Sequence, residues 1–90
     1  MDEMIEVLRI TTESGAVYDF AQDMAKVRRA NPHGWSTALR RDGEWIDVVS
    51  AEDIAFGKPM RLLLAGVAAV GDTLLVTTPV TMIERTWGKA

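Results

Sequence analysis

The sequence predicts an all-β fold: a single small domain, residues 1–90, of six to seven mainly antiparallel strands, in a meander-based barrel or a compact sandwich with at most one short helical turn. Three observations predict it. Short runs rich in β-branched and apolar residues recur along the chain. Pairs that favour tight turns separate them, namely Ser14-Gly15, Asp42-Gly43 and Gly71-Asp72. The most apolar segment, 59–83, is itself divided by the last of these pairs.

That apolar segment forms the predicted central hairpin. Residues 59–66 and 73–83 are apolar enough to be buried on both faces of a sheet, with the turn at Gly71-Asp72. Pro79 has no N–H to donate to a ladder, so we expect a bulge or corner that divides the last segment into 73–78 and 80–86. A strand bent in this way can serve two sheets and close a small barrel.

At the N-terminal end of the chain, the pattern of residues 6–20 predicts a hairpin closed by Ser14-Gly15, with Leu8 and Ile10 on one face of the first strand. Residues 21–31 are ambiguous. Phe20, Met24 and Val27 have the spacing of a short amphipathic helix, but a period of two over the same residues predicts a strand with a basic edge.

Residues 35–40 and 44–49 flank Asp42-Gly43, and this pattern predicts a hairpin with a two-residue turn that places Trp45 opposite Arg40. Ser50 followed by Glu52 and Asp53 resembles a helix N-terminus, which predicts one helical turn through about Ala55.

Composition indicates an intracellular protein. The chain contains no cysteine, so disulfides and thiolate chemistry are excluded and a reducing cytoplasm is expected. The first residues are acidic where a secretory signal would be basic, and no apolar run approaches the roughly 18 residues of a membrane span. We therefore expect a cytoplasmic protein with no membrane attachment.

Charge is unevenly distributed although the net charge is only -3. Residues 24–41 contain five bases and no acid, and residues 42–53 contain five acids and no base. Such blocks can form a dipolar surface that attracts a partner. The second explanation is that these charges pair between neighbouring strands, and we favour it.

Catalytic motifs are missing from the sequence. His33 is the only histidine and lies in a Pro-His-Gly loop, so one chain cannot assemble a nitrogen- or sulfur-rich metal site. No serine has a nucleophile elbow around it, and the glycines match no phosphate-binding fingerprint. We expect no enzymatic activity, no cofactor and no metal.

Two classes of function remain, binding to a protein and binding to nucleic acid. Aromatic and arginine side chains are enriched at protein interfaces, and the sequence predicts a partner-binding surface on the 35–49 hairpin and the basic residues beside it. Its candidate residues are Trp35, Arg40, Arg41, Trp45, Arg28 and Arg29. A basic face over residues 26–41 with exposed rings is also typical of nucleic-acid-binding barrels, but the acidic chain makes this alternative weaker. Trp87 is expected to cap the open end of the core, and an exposed C-terminal strand edge could pair with a second copy.

Five phrases resemble a known group of proteins: RITTESGAVY (9–18), VRR (27–29), LRRDGEW (39–45), GKPMRL (57–62) and TTPV (77–80). They are similar to small uncharacterised accessory proteins of actinobacterial phages, mycobacteriophages in particular, and sometimes of their hosts' genomes. The resemblance favours a strand in the 21–31 segment. It implies a module that binds a host protein in the bacterial cytoplasm. A self-assembling virion component is a further alternative.

Overall fold

The computed structural model describes residues 3–30, 44–66 and 71–90, and within these ranges the chain forms six strands and no helix. Each strand pairs antiparallel with the next, and β6 pairs with β1, so the sheet closes into a barrel with meander order. The predicted all-β fold is confirmed. The described ranges accordingly hold no apolar helix of membrane-spanning length. The strands are β1 (Met4–Thr12), β2 (Val17–Ala21), β3 (Lys26–Arg29), β4 (Ile46–Ala51), β5 (Pro59–Leu64) and β6 (Thr73–Lys89).

Apolar side chains from all six strands fill the interior of the barrel. Burying them provides the main favourable term for folding, because each removes apolar surface from water. The buried cluster consists of Ile10, Ala16, Tyr18, Phe20, Val27, Ile46, Met60, Leu62, Leu64, Leu75 and Val80.

The first hairpin forms as predicted. Ile10 pairs with Tyr18 across β1 and β2, and both side chains point into the barrel. At the turn, the Thr12 N–H donates to the Ala16 carbonyl at 2.9 Å and the Gly15 N–H donates to the Thr12 carbonyl at 2.8 Å. Gly15 has a φ of 89°, a left-handed conformation that glycine adopts without a steric cost.

The ambiguous segment after β2 is a turn followed by a strand. Phe20 and Val27 are direct cross-strand partners, and Met24 packs against the core from the turn between them. Gln22, Asp23 and Met24 all have positive φ, which excludes a right-handed helix. The helix and the hairpin bring the same three apolar side chains to the core, so the spacing could not distinguish them.

The pairing of β4 differs from the predicted 35–49 hairpin. Asp47 pairs with Lys26 of β3, and its carbonyl accepts a hydrogen bond from the Ala65 N–H at 3.0 Å. At Asp47, both edges of β4 are therefore occupied, by β3 and by Ala65. The predicted hairpin had instead placed residues 36–41 beside residues 44–49. The other arm of that hairpin and its Asp42-Gly43 turn lie outside the described residues.

The helical turn predicted after Ser50 does not form. Ser50 pairs with Leu63, and the Glu52 N–H donates to the Arg61 carbonyl at 3.1 Å. Because Ser50 is part of β4 and pairs with β5, it does not cap a helix. Residues 52–55 have no regular structure.

The central hairpin is present, but its burial on both faces was predicted wrongly. Leu62 and Leu75 pair on the inner face and are buried. Leu63 and Leu74 pair on the outer face, where Leu74 is 55% exposed. A closed barrel has one interior, and no described element covers the outer face of this hairpin.

β6 changes partner at the predicted corner. Pro79 pairs with Pro59 of β5, and the next residue, Val80, pairs with Thr12 of β1. The Val80 N–H and carbonyl bond to Lys58 and Gly57, at 2.9 and 2.8 Å. The register shifts on both sides of this corner, so β6 runs as one bent strand of 17 residues and closes the barrel.

Candidate functional site

Two of the predicted contact residues lie together on the barrel wall. The guanidinium carbon of Arg28 is 4.3 Å from the centre of the Trp45 ring, which is the geometry of a cation–π pair. Trp45 is half-buried and directly precedes β4, and Arg28 lies in β3. The sequence predicted such a pair between Trp45 and Arg40. Arg40, Arg41 and Trp35 lie outside the described residues.

Arg29 has a different environment. It pairs with Tyr18 across β2 and β3, with its guanidinium carbon 5.6 Å from the Tyr18 ring centre. Only 4% of Arg29 is exposed, so it is not part of an exposed contact surface.

A buried carboxylate lies beside Arg28. Asp19 in β2 accepts two hydrogen bonds from the Arg9 guanidinium, at 2.8 and 3.0 Å, and its Oδ2 lies 3.7 Å from the Arg28 Nη2. The Asp19 side chain is 1% exposed although it lies on the outer side of the barrel wall. Gly88 packs against it, since a Cβ at that position would lie 3.5 Å from Asp19 Oδ2 and 3.4 Å from Arg28 Nη2.

These residues belong to a row of alternating charges across four strands. Glu84, Arg9, Asp19 and Arg28 are successive cross-strand partners on β6, β1, β2 and β3. Hydrogen bonding to Asp19 raises the pKa of Arg9, partial burial opposes this, and the charges of Asp19 and Glu84 raise it further. Arg9 therefore stays charged at any ordinary pH.

Sequence reasoning gave Asp19 no role. A signal was available, because Arg9 and Asp19 lie nearly symmetrically about the Ser14-Gly15 turn and are therefore cross-strand partners. What the sequence did not show is that this side of the wall is covered by the end of β6.

The described cations of the basic block are engaged within the fold. Lys26 forms an ion pair with Asp47 on β4, Arg28 contacts Asp19 and Trp45, and Arg29 is buried. The predicted cross-strand pairing of the two charge blocks is seen for Lys26 and Asp47, whereas Arg28 pairs with Asp19, which lies outside the 42–53 block, and Arg29 lies over Tyr18.

One open groove of about 590 Å³ lies between the turn after β2 and the segment after β4. Its walls include Leu8, Val48 and Ile54, and Asp23, Glu52 and Asp53 also line it. Acidic side chains beside an apolar wall do not by themselves make a catalytic centre. Across the described ranges, no group of three potential metal ligands comes together.

Apolar side chains are exposed along β6. Besides Leu74, these include Val76, Met82, Ile83 and Trp87. Trp87 is 62% exposed, so the prediction that it caps the core is wrong. Residues 80–89 of β6 pair with β1, and β5 pairs with β6 only up to Pro79.

The fold and this surface define a small antiparallel β barrel with an aromatic–arginine contact on its wall and an exposed apolar strand. Comparison with protein-family models, with curated proteins and with solved structures gave no match.

Proposed function

We propose that this chain is a non-catalytic protein-binding module, acting as a small phage accessory protein that binds a host protein in the bacterial cytoplasm. The contact surface is centred on Trp45 and Arg28. The phage and host assignments come from the sequence resemblance, and the contact between Trp45 and Arg28 supports the choice of surface.

The observation that supports it best is the way Trp45 is held. Its ring lies on Arg28, Arg28 faces the buried Asp19, and Asp19 is fixed by Arg9. Trp45 is only half-buried at the end of this chain of contacts. A partner that covers it would lose little side-chain entropy, because the ring is already ordered. Tryptophan and arginine are also the residues most enriched among interface hot spots.

The same contacts make nucleic-acid binding the weaker alternative. Phosphate binding requires cations that are free to exchange their counterions for phosphate oxygens. Lys26 and Arg28 each face a carboxylate, and Arg29 is buried. A phosphate would have to displace Asp47 or Asp19 to reach them.

An affinity capture from an actinobacterial host lysate tests the proposal. The baits are the wild-type chain, Trp45→Ala and Phe56→Ala, a matched control that removes an aromatic ring 73% exposed elsewhere on the barrel. We expect one host protein to be retained at low and physiological salt by the wild type and the control, and to be lost from Trp45→Ala. With that protein purified, Trp45→Ala should weaken binding by about 2 kcal/mol, roughly 30-fold in Kd.

Circular dichroism of each bait establishes that it is folded before capture. Retention of the same protein by Trp45→Ala would contradict the proposed surface. Nucleic acid retained only at low salt would replace the proposal with the nucleic-acid alternative.

A further inference from the structure

Among the described strands, the C-terminal half of β6 has one paired edge and one edge without a neighbour, called here the open edge. Met82 to Lys89 pair with Thr11 to Met4 without a break in register. On the opposite edge, β5 ends at Pro59, and Gly57 and Lys58 bond to Val80. Beyond Val80, no strand among residues 3–30, 44–66 and 71–90 pairs with this edge.

Hydrogen-bond alternation shows which backbone groups face the open edge. The Ala90 N–H donates to the Glu3 carbonyl at 2.9 Å, so Ala90 is directed towards β1. In an antiparallel ladder every second residue points the same way. Thr86 and Glu84 therefore also bond to β1, whereas Ile83, Arg85 and Trp87 direct their N–H and carbonyl groups to the open edge.

This edge contains charged residues but lacks two other features that prevent strands from pairing, a proline and a bulge. Between Met82 and Gly88 there is neither a proline nor a bulge, and Ile83 and Trp87 are exposed. Unpaired edges of this kind act as templates for an added strand.

We propose that the open edge of β6 pairs antiparallel with β6 of a second copy of this chain, about a two-fold axis that passes through Thr86. The added strand extends the β1–β6 ribbon into a four-stranded sheet across the dimer. The proposal concerns the backbone edge of β6 and uses neither Trp45 nor Arg28, so it does not depend on the host-protein proposal, although Gly88 at the end of this edge lies beside Arg28.

The charges select this register. Only registers in which Ile83, Arg85 and Trp87 face equivalent positions of the partner can form a ladder. An axis through Arg85 would place two arginines opposite each other, and an axis through Glu84 would place two glutamates opposite each other. An axis through Trp87 would place Arg85 opposite Lys89 of the second copy.

The axis through Thr86 avoids every such repulsion. It places Thr86 opposite Thr86 and Glu84 opposite Gly88 of the second copy. Arg85 then lies opposite Trp87 of the second copy, twice by symmetry, so that each pair can form a cation–π contact on the exposed face. Among the axes through Glu84, Arg85, Thr86 and Trp87, this is the one that brings no like charges together.

Single-cysteine variants test both the pairing and the register, because the chain has no cysteine of its own. At the axis, Thr86 forms a non-hydrogen-bonded pair with Cα atoms about 4.5 Å apart, within disulfide range. We expect Thr86→Cys to form a disulfide dimer under mild oxidation. The matched control is Glu84→Cys on the same face of the strand, which should form no disulfide because its partner position is Gly88.

Sedimentation equilibrium of the unmodified chain should show concentration-dependent formation of a species of twice the 9.9 kDa chain mass. Thr86→Lys, which places two cations on the axis, should abolish it. Arg85→Pro should do the same, since it removes an N–H directed to the open edge and leaves the β1 ladder intact. A chain that is monomeric throughout would overturn the proposal, as would a dimer in which Glu84→Cys forms the disulfide and Thr86→Cys does not.

Discussion

Replacing Asp19 with asparagine removes one charge from the barrel wall and leaves the shape of the side chain almost unchanged. The carboxylate accepts two hydrogen bonds from Arg9 and faces Arg28. An asparagine amide would direct N–H donors at one of these donors and leave both cations without their counter-charge. The variant therefore isolates electrostatics from packing.

The size of the loss follows from the exposure of the two arginines. Their side chains are 32% exposed for Arg9 and 15% for Arg28. Breaking a fully buried ion pair costs about 3–5 kcal/mol, but Arg9 can turn towards water, so we expect about 2–3 kcal/mol of lost stability. For a domain of this size that lowers Tm by roughly 10–20 °C.

Urea unfolding followed by tryptophan fluorescence measures this loss. Asp47→Asn is the matched control, because Asp47 also pairs with a cation on the neighbouring strand but has a side chain 65% exposed. Its expected loss is below about 1 kcal/mol. Equal losses in the two variants would refute the conclusion that the burial of Asp19 determines its contribution.

Three further predictions concern the core, the aromatic pair and the glycine of β6. Leu62→Ala should cost about 2–5 kcal/mol in urea unfolding, against less than about 0.5 kcal/mol for the outward-facing Leu74→Ala, and similar losses would contradict the assigned faces of the hairpin. A double-mutant cycle of Arg28→Met and Trp45→Leu should give a coupling energy of about 0.5–1 kcal/mol, and a coupling near zero would remove the cation–π contact as a stabilising interaction. Gly88→Ala should change stability little because its Cβ would meet neighbours at 3.4 to 3.6 Å, whereas Gly88→Leu should destabilise by about 1–3 kcal/mol, and equal tolerance of both would show that the wall is open there.

The sequence was sufficient for the fold class and for two of the three predicted glycine turns, the third of which lies outside the described residues. Ser14-Gly15 and Gly71-Asp72 separate strands as predicted, since positive φ at Gly15 and Gly71 is a local requirement. Pro79 likewise marked the corner of β6. These features depend on the conformation of one or two residues, and the identity of those residues is enough to indicate them.

Strand neighbours were harder to predict, because pairing depends on residues far apart in the chain. Asp47 pairs with Lys26, which is 21 positions away, and no local pattern distinguishes that partner from a nearer one. The expected contact between Trp45 and Arg40 depended on the same choice. Arg28 reaches Trp45 because β3 and β4 are neighbours in the barrel.

The open edge of β6 follows from how the barrel closes. A sheet closes only if its strands are staggered, so the last strand must meet its two neighbours at different heights. β6 meets β5 through Thr73 to Pro79 and meets β1 through Val80 to Lys89, with hardly any overlap. A strand shared in this way is long enough to close the ring but leaves half of each edge without a neighbour from the barrel itself. The half that faces away from β1 contains Ile83, Arg85 and Trp87, so closure of the barrel and availability of an edge for a second chain have the same structural cause.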